Sequence, residues 1–438
     1  MRPTDDTTRS GPRAHPRQTG LITGLGAVTP LGIGVPSFVS GLRRGARGAR
    51  LLDFERSPGI RAIGATCNEW SPDLVMRSGE AAKLPRLVPM ALAAARQAME
   101  AAGLGDISES ETEAQRVGLI LGTGGGGIDF TGEQYRARFA GQRPSLWTIT
   151  NATHGNLAGE LSIRLGLRGP SLCVSTGCAS GSDAAGLALD QLRAGRVGSP
   201  EAWVVIGADA HVRPEPLAAM DLLGVISQRA CASDAEAAAA ARPFDTNRDG
   251  FVLSEGAWAM VLQRRDDLVR TDPIGQLMGY GATCDAFHRV RPDPDMGECA
   301  RAIDLAIQDA GVSHADVNVA HYHGTATVLN DRLETDAFKR AFGSHARRIV
   351  GHSIKGAIGH PQGASGMASL VATLGAMAGL DGDDPFTPPT ANLSEPDDVC
   401  DLDYTPHEAR ACAPGATALI SCLAFGAKNS MLVVRSRG

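Results

Sequence analysis

Aromatic side chains are scarce in this sequence, making up 4% of its 438 residues. Against them stand 53 glycines and 25 prolines, with 43% hydrophobic residues. That balance predicts a globular, turn-rich α/β protein. An excess of positive charge is also missing. The 42 basic and 48 acidic side chains leave a net charge of −6, which argues against a general nucleic-acid binder. The nine cysteines (67, 173, 178, 231, 284, 299, 400, 412 and 422) contain no CxxC pair and are odd in number. They fit neither a disulfide framework nor a zinc knuckle, so a reducing, cytoplasmic setting is expected. Long hydrophobic runs are absent too. "LVATLGAMAGL" (370–380) is too short to span a bilayer and reads as a buried helix. Residues 1–17 show no apolar h-region and are expected to form a disordered tail, with no membrane association.

What is present is length and alternation. The chain is too long for one ordinary core and suggests two lobes or one large α/β domain. Strand-like runs at "GLITGLGAVTPLG" (20–32), "VGLILGTG" (117–124) and "WVVIGADA" (203–210) alternate with helical patterns near 88–102 and 184–194. This predicts a buried, mostly parallel sheet. A charged seam at 264–273 separates a half spanning 18–268 from one spanning 269–438. The second half has a similar element order, with a helix over 298–311, although no sequence repeat is visible. The acidic, Pro-rich "DGDDPFTPPTANLSEPDD" (381–398) reads as a surface excursion.

Two motifs satisfy a pattern without its chemistry. "GTGGGG" (122–127) fits G-x-G-x-x-G, but no acidic ribose partner follows on a later strand, so a tight backbone turn is the better reading. "DTNRDGFVLSEG" (245–256) imitates a calcium loop, but Gly256 stands where the bidentate Glu belongs and the downstream flank is strand-like. The cluster Arg43, Arg44, Arg47 and Arg50 reads as a solvated surface, with a docking patch for an acidic partner as the functional alternative.

The candidate for chemistry is Cys178 in "VSTGCASGSDAAG" (174–186). A strand, a small-residue turn and a helix place its sulfur at a helix N-terminus, where the macrodipole favours a thiolate. A lone cysteine in such a place is more often a small buried hydrophobe. Two turns downstream offer partners: "HYHGTATVLND" (321–331) with His323, and "GHSIKGAIGHPQGASG" (351–366) with Lys355 and His360. Two histidines in small-residue turns at strand ends, together with a cysteine elbow, exceed what composition predicts.

"STGCASG", "HGTATxxND" and "SIKGAIGH" resemble the signatures of the elongating β-ketoacyl-acyl-carrier-protein synthases. The likeness continues through "TGLGAVTPLG", "RPFDTNRDGFVLSEGA" and "GYGATCDAFH", and so covers nearly the whole chain from about residue 20. It implies a thiolase-like α/β fold: two similar βαβαβαββ halves in a five-layer αβαβα arrangement, usually dimeric. It also implies site roles. Cys178 would carry the acyl chain, and His323 and His360 would stabilise the enolate formed as malonyl-acyl carrier protein loses carbon dioxide. Backbone N–H groups of Cys178 and Phe425 would form the oxyanion hole, with Phe425 as gate. Lys355 and Glu334 would form a supporting ion pair, and Thr325 and Thr327 would bind the pantetheine arm. No cofactor and no metal are expected, since the substrates ride on the phosphopantetheine of an acyl carrier protein.

Within that resemblance, Gly177, "NDRLETDAFKRAFGSHA" and "PPTANL…CDLDY" lean toward ketosynthase α-subunits of bacterial type II polyketide synthases. The partner would be an identical subunit or a chain-length-factor-like paralogue, and fatty-acid synthesis is the alternative pathway. Ala424 and Ala427 stand where that family usually has glycine, and "KGAIGH" lacks its usual bulkier residue. Two other functions stay open on sequence: an acyltransferase that uses Cys178 without condensation, and a non-catalytic partner that shapes another subunit's tunnel.

Overall fold

The computed structural model describes residues 19–54, 61–264 and 268–438. The tail expected over 1–17 lies outside these. Ten strands build the frame: β1 (Gly20–Thr29), β2 (Val117–Gly122), β3 (Ser171–Val174), β4 (Ala202–Asp209), β5 (Gly256–Gln263), β6 (Gly275–Cys284), β7 (Val319–His321), β8 (Val350–His352), β9 (Thr417–Ala424) and β10 (Lys428–Ser436). Six helices accompany them: α1 (Leu87–Ala101), α2 (His154–Leu165), α3 (Ser180–Ala194), α4 (Gly297–Ala310), α5 (Val328–Phe342) and α6 (Ser365–Met377).

The strands lie in the order β8-β7-β9-β10-β6-β1-β5-β4-β2-β3. Each half therefore has the same spatial order, β1-β5-β4-β2-β3 in the first and β6-β10-β9-β7-β8 in the second. In each, three parallel strands (β3-β2-β4 and β8-β7-β9) continue into two antiparallel ones (β5-β1 and β10-β6). The halves join where Gly20, Leu21 and Ile22 of β1 pair with Leu277, Gln276 and Gly275 of β6. The repeat that the sequence hides is thus a βαβαβαββ unit used twice.

Helices α1 and α2 cover the outer face of the first half's strands, α4 and α5 that of the second half's, while α3 and α6 touch strands of both halves and each other. This is the αβαβα layering. Its centre is apolar because both middle helices are: Ala184, Ala188 and Leu189 of α3 share one core with Met367, Leu370 and Val371 of α6. All thirteen residues of α6 are buried, as the short apolar run at 370–380 implied. Burial on all sides removes the need for a polar face.

The two middle helices meet at their N-termini. A Cβ at Gly366 would lie 2.0 Å from Ser182 Oγ, and one at Gly181 would lie 2.8 Å from Met367 N. That approach brings the turn before α3 against the turn before α6.

Two expectations are corrected. The sheet is mixed and not mostly parallel, because the strands that close each half, and the seam between the halves, pair antiparallel. The stretch 381–398 is not a surface excursion throughout: Phe386–Leu393 is buried apart from half-buried Asn392. Thr390 Oγ accepts from Ser353 N–H and donates to the Tyr404 carbonyl. Arg43 stacks 3.7 Å from the Phe386 ring centroid and donates twice to Asp381. The acidic residues flank a segment whose apolar centre joins the core, and Arg43 serves as its internal tie.

Candidate active site

Cys178 sits in a single 3-10 turn, Gly177–Ala179, immediately before α3, and is 5% exposed. Gly177 has φ +68°, a backbone that residues with a Cβ adopt at a cost. That sharp turn aims the cysteine back toward the second half. Ser180 Oγ donates to the Gly177 carbonyl and accepts from Thr176 N–H, closing the turn, and Gly195 in the left-handed region ends the helix.

The second half supplies the facing wall. His323, Thr325 and Thr327 follow β7, His360 precedes α6, and Phe425 tips the β9–β10 hairpin. All five join Cys178 in lining one cavity of about 310 Å³. The imidazole rings of His323 and His360 stand edge to face, with centroids 5.4 Å apart. The backbone N–H groups of Phe425 and Cys178 both point at the cysteine sulfur. Phe425 is half-buried, and in the same hairpin Ala427 adopts φ +62°, the conformation for which glycine is usual.

The hydrogen bonds assign the tautomers. His360 Nδ1 accepts from Gln362 N–H at 3.2 Å, with Ser365 Oγ at 2.9 Å. His323 Nδ1 lies 3.4 Å from the Lys355 ammonium. An imidazole nitrogen that accepts carries no proton, so the remaining proton sits on Nε2 in both rings. Burial pushes both histidines well below the usual imidazole range, and the nearby Lys355 charge pushes further the same way. Both rings are therefore neutral donors at physiological pH.

Two expectations about this site are corrected. Lys355 and Glu334 form no direct ion pair. Lys355 Nζ donates to the His323 carbonyl at 2.5 Å, while Glu334 accepts from His323 N–H at 2.7 Å, Gly324 N–H at 2.9 Å and Ser421 Oγ at 2.6 Å. The two charges clamp the backbone of His323 from opposite sides. The helix N-terminus, in turn, does not make Cys178 a resting thiolate. Burial pushes its thiol up to about 11, against the opposing pull of Lys355 and of the two backbone N–H groups. In a buried turn, desolvation outweighs the dipole.

Sequence reasoning left several supporting groups without a role. Asp331 closes the quoted "HGTATVLND" and accepts from the Thr325, Ala326 and Phe244 N–H groups, shaping the threonine loop in which Thr325 and Thr327 hydroxyls lie 2.9 Å apart. Asp209, fully buried, accepts from Thr123 Oγ and the N–H groups of Gly124, Gly125 and Gly363. It ties the "GTGGGG" turn to the loop carrying His360, so that glycine run braces this loop as a tight backbone turn. Cys422 donates to the Cys178 carbonyl at 3.0 Å. The calcium-like loop is filled by its own chain: Asp245 accepts from the N–H groups of Asn247, Ser394 and Glu395. Among the described residues, no group of three or more His, Cys, Asp or Glu is arranged to hold a metal ion, and no helix is long and apolar enough to cross a membrane.

Comparison with known proteins agrees with this geometry. The sequence matches "Beta-ketoacyl synthase, N-terminal domain" over residues 21–267 and "Beta-ketoacyl synthase, C-terminal domain" over residues 274–394. It is 34% identical over 421 residues to 3-oxoacyl-[acyl-carrier-protein] synthase 2 of Synechocystis sp., covering 95% of this chain and 97% of that one. It is 33% identical over 410 residues to the tetracenomycin polyketide synthase ketoacyl synthase alpha subunit of Streptomyces glaucescens, covering 90% of this chain and 92% of that one. Among solved structures, the ishigamide ketosynthase/chain length factor superposes with a TM-score of 0.83 at 27% identity, over 96% of this chain and 100% of that one.

Proposed function

The chain belongs to the β-ketoacyl synthase family, and from that premise we propose that Cys178, His323 and His360 carry out a decarboxylative Claisen condensation on carrier-bound thioesters. The observation that carries this reading is the pair of neutral imidazoles, each with its proton on Nε2, lining one cavity with the cysteine sulfur.

In the first step the Cys178 sulfur attacks the acyl thioester of a carrier protein. The new S–acyl bond forms as the carrier's sulfur leaves, and the Cys178 proton passes to that sulfur. The oxyanion of the tetrahedral intermediate meets the Cys178 and Phe425 N–H groups. In the second step, malonyl thioester replaces the departed carrier. His323 and His360 donate to its thioester carbonyl oxygen, so that negative charge gathers there as the bond to the carboxylate breaks and carbon dioxide leaves. The enolate carbon attacks the Cys178 thioester, the C–C bond forms, and Cys178 leaves as a thiolate that takes up a proton. Neutral donors suit this step because they stabilise developing charge without first forming an ion pair with the malonyl carboxylate. Lys355 and Glu334 act as positioning residues on His323. Thr325 and Thr327 line the same cavity with the hydroxyl groups a pantetheine amide would need.

The setting is cytoplasmic biosynthesis, and the chain acts as a ketosynthase α-subunit in a type II polyketide system. Its partner is a second, similar subunit. Strand β3 ends the sheet with no pairing on its outer side among the described residues. Leu172 on that strand and Ile163 on the adjoining α2 are exposed. An open edge beside apolar side chains is a surface that a second sheet would cover.

The test is sequential incubation with acyl-loaded and then malonyl-loaded carrier protein, read by intact-protein mass spectrometry. The expected result is an acyl adduct on Cys178, then a ketoacyl product two carbons longer with release of carbon dioxide. An adduct without carbon dioxide release would mean acyl transfer alone, and no adduct would remove both enzymatic readings.

A further inference from the structure

The turn that carries Cys178 is tied by a carboxylate for which the chemistry above has no use. Asp183 stands five residues after the nucleophile, in the first turn of α3. Its Oδ2 accepts from the hydroxyl of Thr176, two residues before the nucleophile, at 2.5 Å. Its Oδ1 accepts from the Tyr280 hydroxyl at 2.9 Å. Tyr280 lies on β6, the first strand of the half that brings His323 and His360. Its ring packs on α3 at Gly186, where an added Cβ would fall 2.4 Å from it. Its backbone N–H donates to Asp309, whose carboxylate pairs with Arg193 in the last turn of α3. Strand β6 is thus fastened to both ends of that helix, and Asp183 passes the anchorage on to the turn in front of it.

Hydrogen bonds to a charged acceptor are the strong ones. What these hold is the peptide between Gly177 and Cys178. Gly177, at φ +68°, has the backbone freedom to let that peptide swing. Thr176 before it is held twice, through its hydroxyl by Asp183 and through its N–H by Ser180 Oγ. The N–H of the Gly177–Cys178 peptide is one of the two that point at the cysteine sulfur. The other belongs to Phe425, on a hairpin of the second half. An oxyanion is stabilised by both only if both are already aimed at it, so the turn has to be fixed against that half. Tyr280 is the side chain that reaches across to fix it.

We infer that Tyr280, Asp183 and Thr176 form a chain of positioning residues that holds the Cys178 N–H in line with the Phe425 N–H, although none of the three lines the cavity around Cys178. This rests on the acyl-enzyme proposed above and goes beyond it by assigning the residues that set its oxyanion hole.

The experiment compares two reactions of one sulfur in the full-length protein, each read from the mass of the peptide bearing Cys178. Acyl transfer from an acyl-pantetheine thioester passes through an oxyanion. Alkylation by iodoacetamide is a displacement at saturated carbon and forms none. Thr176→Val keeps the shape and loses the hydroxyl. It should lower the limiting rate of acylation about 10- to 100-fold, the scale of a small misplacement of reacting groups. Half-saturation and the alkylation rate should each stay within about 3-fold, since neither draws on the oxyanion donors. Thr176→Ser keeps the hydroxyl and should bring acylation back to near the wild-type rate. Tyr280→Phe cuts the far end of the chain and should lower acylation about 3- to 10-fold, the worth of one hydrogen bond. It carries the test should Thr176→Val not fold. Acylation and alkylation falling together, acylation unchanged in both variants, or Thr176→Ser no better than Thr176→Val would overturn the positioning role and leave the acyl-enzyme standing. No acyl adduct on Cys178 of the wild type overturns the acyl-enzyme and this inference with it.

Discussion

The turn after β2 and the turn after β7 occupy the same position in their two halves, and each is held by a buried carboxylate. Asp209 grips Thr123, Gly124 and Gly125 in the first half. Glu334 grips His323 and Gly324 in the second. The device is the same: one acceptor group satisfies successive backbone donors that a tight turn leaves without partners. Its use differs. In the first half the turn is glycine, because neighbours crowd it: a Cβ at Gly125 would fall 2.5 Å from the His211 ring. Its carboxylate reaches across to Gly363 N–H and bolts the halves together. In the second half the turn presents an imidazole, and its carboxylate stays at home on Ser421. The fold repeats a scaffold, and the chemistry comes from breaking the repeat: the nucleophile belongs to one half and the histidines to the other.

The largest effect tests that division. Cys178→Ala should abolish both adduct formation and condensation. His323→Ala or His360→Ala should leave acylation of Cys178 within a few-fold while lowering condensation about 100- to 1000-fold, the usual loss for one donor at a developing oxyanion. Measuring adduct mass and carbon dioxide release separately decides it, and loss of acylation in the histidine variants would break the comparison.

Next come the carboxylates themselves. Asp209→Ala strands four donors from two halves and Glu334→Ala strands three from one. Each should destabilise the protein by about 2–5 kcal/mol, with Asp209→Ala the worse. Urea unfolding of both variants orders them, and the reverse order would show that the inter-half tie is not the more important.

The pH dependence of Glu334 is a finer measure. Burial pushes its carboxyl up to about 7 from an ordinary value of 4.5, against the pull of its hydrogen-bond donors. Between those values the folded state keeps a proton that the unfolded chain has released. Stability therefore falls as pH rises through that window, by about 3 kcal/mol at most from this group. Urea midpoints at pH 5 and pH 7.5 should show this decline in the wild type and a smaller one in Glu334→Gln.

The smallest effect concerns the threonine loop. Thr325→Ala or Thr327→Ala should raise KM for malonyl-carrier protein about 3- to 10-fold with kcat little changed, as expected for loss of one hydrogen bond to substrate. A fall in kcat at constant KM would instead place these hydroxyls in the chemical step.

Much of this was legible along the chain. The apolar runs at 117–124 and 203–210 became β2 and β4, the pattern near 88–102 became α1, and the small-residue turn at Cys178 lies where strand, glycine and helix start predicted. The calcium-like loop was rejected on its twelfth position and its strand-like flank, and the structure fills Asp245 with backbone donors. Other features were not legible. The pairing of Lys355 with Glu334 gave way to a clamp on His323 because both charges found backbone partners nearer than each other. The segment 381–398 hid a buried centre between acidic ends. The resting thiol lost to burial what its helix offered.

The sequence by itself determined the local elements and the identity of the reactive groups, because side-chain period, turn residues and the residue types needed for chemistry are written one position at a time. Only the tertiary structure decided the doubled strand order and the reach of Asp209 from Gly124 to Gly363. Those depend on backbone N–H groups and on burial, which every residue type shares and no local pattern records. They arise where the N-termini of α3 and α6 are packed together.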